Sequence, residues 1–179
     1  IEKIKHFVSK DALNIDGFGK KIVQNFWEIG LIKLPHDIFN LDFERISKLE
    51  GWGSLSVDNL KKSIQKSKIV SLDKFIFSLG IRHIGQENAK LLGEFLKNKE
   101  NFFRLKRQKF IEELLNIDGI GDTQINSLKM FFNEKKNLEV ISNLSKLLNI
   151  QNFEEKRSTG KLKGQSFMFT GKLNNISRA

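Results

Sequence analysis

One short pattern recurs four times along this chain, and a repeat constrains a fold more than any single motif does. It reads Ile15-Asp16-Gly17-Phe18-Gly19, Leu49-Glu50-Gly51-Trp52-Gly53, Ile81-Arg82-His83-Ile84-Gly85 and Ile117-Asp118-Gly119-Ile120-Gly121, with His83 where the other copies have their first glycine. Successive third positions lie 34, 32 and 36 residues apart. Behind each final glycine apolar residues recur four, seven and mostly eleven positions on: Val23 and Phe26; Val57, Leu60 and Ile64; Ala89, Leu92 and Leu96; Ile125, Leu128 and Phe132. That spacing is one face of an α-helix. A shorter helical candidate precedes each copy, over 3–13, 42–49, 71–80 and 109–116. The repeat therefore predicts a mainly α body over 1–150, made of four helical hairpins near 15–30, 49–66, 80–97 and 117–133.

The turn chemistry follows from glycine, which adopts positive φ and permits close approach. The apolar residue between the last two positions, Phe18, Trp52, Ile84 or Ile120, is expected to pack down between the helices. Residues after the second glycine start the second helix, so amides without helical partners and the positive end of the helix dipole face outwards, where a phosphate oxygen can sit. Candidate contacts are Gly17, Gly19, Lys20 and Lys21 in the first unit; Gly51, Gly53, Ser54 and Ser56 in the second; Arg82, His83, Gly85 and Gln86 in the third; and Gly119, Gly121 and Thr123 in the fourth. Asp122 suits a helix start better than a phosphate contact, because a carboxylate repels phosphate. One such turn is weak support for phosphate binding, since αα-hairpins need glycine for structural reasons alone. Four in tandem match the helix-hairpin-helix motif, which holds duplex backbone without reading sequence.

Composition narrows the functional classes. The 179 residues include no cysteine and three histidines, which excludes a disulfide framework, a thiolate metal site and a cysteine nucleophile. No apolar run approaches the roughly 20 residues that span a bilayer, and residues 1–10 resemble neither a signal nor a transit segment. With Ile1 first, the expectation is a piece of a longer cytoplasmic protein. The formal charge is +10, but residues 1–155 carry 25 basic against 21 acidic residues. Affinity for a polyanion must therefore come from where the positive groups sit, as in the basic run 97–109.

Longer segments carry a more specific resemblance, to the C-terminal half of bacterial NAD-dependent DNA ligases. Residues 4–19 (IKHFVSKDALNIDGFG) are similar to the stretch that follows that family's four-cysteine zinc finger, and residues 72–92 (LDKFIFSLGIRHIGQENAKLL) to its third hairpin, His83 included. Residues 164–173 (GQSFMFTGKL) resemble the opening strand and phosphate-contacting Thr170-Gly171 of a BRCT domain. Departures are modest, with Lys10 in place of the usual Arg, and Leu13 and Phe18 in place of the common Met and Leu. The resemblance implies a linker at 151–161 and the start of a truncated BRCT domain, a short β-strand, at 162–179. It also implies that the Lys-x-Asp-Gly nucleotidyltransferase motif, the oligonucleotide-binding fold and the zinc cysteines lie upstream of Ile1. This segment would then have no catalytic residue and no cofactor of its own. NAD, magnesium and zinc would belong to the full-length enzyme, which seals 5′-phosphate/3′-hydroxyl nicks in replication and repair. The implied partners are double-stranded nicked DNA and the upstream ligase domains of the same chain, in a monomeric, nucleoid-associated bacterial protein with no membrane contact.

Other features read as structural. His6, His36 and His83 share no metal-ligand spacing, and the 16 Phe fall mainly on apolar helical faces, as core residues do. Two rival readings stand beside the ligase: a helix-hairpin-helix module of another repair protein, such as an excision nuclease or junction-binding protein, and an α-hairpin protein-interaction scaffold.

Overall fold

In the computed structural model, which describes residues 1–154, the helices follow the repeat. The first hairpin joins α1 (Glu2–Val8) to α2 (Lys20–Glu28), and the second joins α3 (Phe43–Ser47) to α4 (Ser54–Ser67). The third joins α5 (Leu72–Ser78) to α6 (Gln86–Leu96). In the fourth, α8 (Gln108–Glu112) and a 3-10 turn over Glu113–Asn116 lead to α9 (Asp122–Asn133). Every residue expected on the inner face of the second helices, from Val23 to Phe132, is buried. Burying such a face, rather than intrinsic propensity, stabilises helices this short.

The first helix stops sooner than its 3–13 candidate. After Val8 the chain turns at Ser9, and the Leu13, Asn14 and Ile15 amides donate back to Phe7, Ser9 and Val8 carbonyls. Asn14 takes a left-handed φ of +49°, which a short polar side chain tolerates.

Elements between and after the hairpins complete the body: a 3-10 turn at Pro35–Asn40, α7 (Lys99–Arg104) and α10 (Lys135–Leu147). Residue Asp37 caps the 3-10 turn, its carboxylate accepting from the Lys33 and Leu34 amides at 2.8 and 2.7 Å. Helix α10 packs on this turn, and α1 packs on α5, so the first two hairpins and the last two share one core. Two three-residue strands, β1 (Ile69–Ser71) and β2 (Asn149–Gln151), pair in parallel with Ile69 opposite Asn149.

The expected boundary at 150 falls inside this strand pair. Gln151 belongs to β2, and the Phe153 amide donates to the Lys97 carbonyl at 2.8 Å. Phe153 packs where Gly93 of α6 leaves room: a Cβ on Gly93 would lie 2.9 Å from the Phe153 ring and 3.2 Å from Asp73 Cβ. The packed body thus runs past 150 because an aromatic side chain seals it. The rest of the expected linker, the BRCT opening at 162–179 and with it Thr170 and Gly171 lie outside the described residues.

Candidate nucleic-acid interface

All four turns close with the same backbone hydrogen bond. The amides of Phe18, Trp52, Ile84 and Ile120 donate to the carbonyls of Ile15, Leu49, Ile81 and Ile117 at 3.0–3.1 Å. In each, the residue two places after the acceptor has positive φ: Gly17 +77°, Gly51 +81°, His83 +60° and Gly119 +90°. A turn of this kind demands a left-handed residue there, which glycine supplies without strain. The apolar residue that follows goes inwards. Phe18, Ile84 and Ile120 are buried, and half-buried Trp52 lies against Phe26 with ring centroids 5.4 Å apart.

The second glycine of each pattern is of another kind. Gly19, Gly53, Gly85 and Gly121 are the N-caps of α2, α4, α6 and α9, all with negative φ open to any residue. A Cβ on Gly19, Gly53 or Gly85 would meet nothing within 4 Å. Neither backbone strain nor internal crowding requires glycine at these places. Its absence of a side chain serves the outer surface, where a partner can reach the amides at the helix start.

This difference gives a stability test. Gly17→Ala is expected to cost about 1–2 kcal/mol, the strain of placing a side chain in the left-handed region. Gly19→Ser, which supplies a preferred N-cap in an ordinary conformation, is expected to stay within about 0.5 kcal/mol of wild type or exceed it. Urea denaturation of the two variants measures both.

The turns come together in pairs. Asp16 and Gly17 of the first and Gly51 and Trp52 of the second line one cleft of about 700 Å³, with Ile22, Ser56, Asn59 and Leu60. A second cleft, of about 500 Å³, sets Arg82 and His83 of the third turn against Thr123 and Ser127 of α9. Here the packing is tighter, since a Cβ on Gly119 would lie 2.9 Å from Leu91 Cδ1 of α6. Lys20, Lys21, Ser54 and Gln86 stand exposed on the first turns of their helices, as do Gly19, Gly53 and Gly85 at the caps.

The four sites differ in charge and in the freedom of their amides. In the fourth, the Gly121 amide donates to Gln124 Oε1 at 3.1 Å. An anion there must displace Gln124 or use the next amides, beside the Asp122 carboxylate. The third turn is the most positive, because Arg82 stands where the others have Asp16, Glu50 and Asp118. Lys129 of α9 is engaged elsewhere: its ammonium hydrogen-bonds Glu112 at 2.8 Å and holds that exposed carboxyl below the usual range.

Three polar residues support the third turn without having stood out as site residues in the sequence. His6 Nε2 donates to the Phe77 carbonyl at 2.7 Å, and its ring sits below Gly80, whose Cβ would lie 3.3 Å from His6 Cδ2. Asn88 Nδ2 donates to the His83 carbonyl at 3.1 Å, and Ser127 Oγ lies 3.1 Å from His83 Nδ1. Asn88 could have been found from its place three residues behind Gly85, within reach of the turn. Nothing local marks His6 or Ser127, whose partners are 71 and 44 positions away.

Among the described residues, no three His, Asp or Glu are grouped to hold a metal, and no helix is long and apolar enough to cross a membrane. Residues 74–141 match the family model of the helix-hairpin-helix motif. Over all 179 residues the chain is 62% identical to a DNA ligase of Pelagibacter ubique (strain HTCC1062), spanning 26% of that protein. Against DNA ligases of Rickettsia bellii (strain RML369-C) and Rickettsia massiliae (strain Mtu5), 99% of the chain aligns at 44% and 42% identity, covering 28% of each. The chain thus spans about a quarter of the length of these curated relatives.

Proposed function

This chain is a segment of the DNA ligase family, and from that premise we propose that it is the part that holds the duplex. Its four turns grip the sugar-phosphate backbone of double-stranded, nicked DNA from the minor-groove side, through helix-start amides supplemented by Lys20, Lys21, Arg82 and neighbouring hydroxyls. Backbone amides do not distinguish bases, so binding is independent of sequence. The remaining domains of the same polypeptide carry the NAD-dependent chemistry that joins a 5′-phosphate to a 3′-hydroxyl during replication and repair. They hold the nucleotide, magnesium and zinc. Alone, the segment binds as a monomer and does not ligate.

One observation carries this reading: four identically hydrogen-bonded turns, each followed by a cap glycine that the fold itself does not require. Fluorescence anisotropy against nicked and intact duplexes of one sequence, across a salt series, tests it. Log affinity is expected to fall linearly with log salt, at about −0.9 per neutralised phosphate, and therefore with a total slope of about −2 to −4 for several engaged turns. Failure of the folded chain to bind either duplex at low salt would leave the hairpins as a scaffold.

A further inference from the structure

The cleft beneath the third turn holds a side-chain network that the amide contacts do not use. His83 Nδ1 lies 3.1 Å from Ser127 Oγ, and Ser127 Oγ lies 2.9 Å from the Thr123 carbonyl oxygen. A carbonyl only accepts, so the single hydroxyl proton of Ser127 goes to Thr123, and the hydroxyl oxygen turns a lone pair towards His83. The imidazole then carries its proton on Nδ1. In the neutral ring Nε2 is left as a bare acceptor.

The setting fixes where that nitrogen goes. His83 is exposed, its φ of +60° and the bond from Asn88 to its carbonyl hold its backbone, and Ser127 holds the inner edge of its ring. The charged groups lining this cleft are Lys3 of α1 and Arg82 of the turn itself. Helices α9 and α10 present only neutral side chains there, Thr123, Ser127 and Met130 among them. No carboxylate lines the cleft.

A phosphate oxygen, like a carbonyl, only accepts. A neutral His83 held in the Nδ1–H form offers it a lone pair, whereas imidazolium offers it Nε2–H. Resting on the reading of this turn as a backbone contact, we propose that Ser127 positions His83 as a phosphate ligand that engages DNA in its imidazolium form, so that docking takes up one proton from solvent. The bond formed is Nε2–H to a phosphate oxygen, and no covalent bond changes. Ser127 touches the ring and not the DNA, which makes it a positioning residue.

The test is anisotropy of the whole chain on nicked duplex between pH 8 and pH 6 at fixed salt. Wild type is expected to gain about fivefold to tenfold more affinity over this range than His83→Asn, tenfold corresponding to one unit of proton linkage. Asn tolerates the left-handed backbone at this position. Ser127→Ala frees Nδ1, lets the neutral ring place its proton on Nε2, and is expected to flatten the pH profile without loss of affinity at pH 8. Ser127→Thr keeps the hydroxyl and should restore the profile. Imidazole ¹⁵N spectra at pH 8 read the tautomer directly, Nδ1–H being expected in wild type. Salt-dependent binding with the same pH profile in wild type and His83→Asn, or an Nε2–H tautomer in wild type, would overturn the proton linkage and leave the clamp standing. No binding by wild type at low salt at any of these pH values would overturn the clamp itself, and the linkage with it.

Discussion

Gly53→Asp is expected to weaken duplex binding by about 10- to 100-fold at low salt while leaving the fold at least as stable, the range following from the loss of one charge-assisted contact worth about 1.5–3 kcal/mol. Gly53 caps α4 with φ −88°, and a side chain there meets nothing within 4 Å. Aspartate is among the preferred N-cap residues, and its charge complements the helix dipole. The carboxylate therefore satisfies the same amides that a phosphate would use, and repels the phosphate besides. Few substitutions separate folding from binding so cleanly. Urea denaturation and anisotropy on one protein preparation measure both quantities. An unchanged Kd in the folded variant would remove the second hairpin from the interface. Repulsion of this kind is screened by salt, so the ratio to wild type should shrink as ionic strength rises.

Phe102→Ala is expected to cost about 3–5 kcal/mol, in the range typical of truncating a buried phenylalanine. Phe102 is fully buried on α7, with ring centroids 5.5 Å from Phe75 of α5, 5.6 Å from Phe103 and 5.5 Å from Phe132 of α9. Its ring thereby packs the short helix α7 against helices of both the third and the fourth hairpin. Domains of this size are stable by about 5–15 kcal/mol in total, so the loss is a large fraction of the whole. Chemical denaturation would show it directly. A change below about 1 kcal/mol would mean that the surrounding rings collapse onto the space without penalty, contrary to the close packing of a core.

The hairpins were legible because their determinants are local. A left-handed position, an apolar plug one residue on and a helical face at four, seven and eleven residues all fall within one repeat, and each is found as expected. Even His83 in the glycine position keeps the turn, at φ +60°. What escaped the sequence depends on partners far along the chain or on competition between near-equal hydrogen bonds. The strands β1 and β2 have three residues each and no alternation long enough to register, and each exists only because the other is there. Gln124 captures the Gly121 amide because a residue at the third helical position reaches back to the cap, a bond that one sequence can make or leave to a ligand. The early end of α1 has the same origin, with Ser9 and Asn14 offering the backbone a turn instead of another helical step.

The β1–β2 pair gives the chain an unusual connectivity. Residues 69 and 149 are neighbours across a ladder, so the entire second half, with its two turns and the further helices α7 and α10, is covalently an insertion whose ends meet one strand spacing apart. A loop closed over 80 positions is costly in chain entropy and forms slowly compared with hairpins that close over a dozen. The local hairpins can therefore form before the clasp closes, and lengthening a segment within the second half need not disturb the spacing of the turns in the first. The clasp acts as a buckle: it closes the second half on itself, while the packing of α1 on α5 and of α10 on the Pro35–Asn40 turn holds the two halves together.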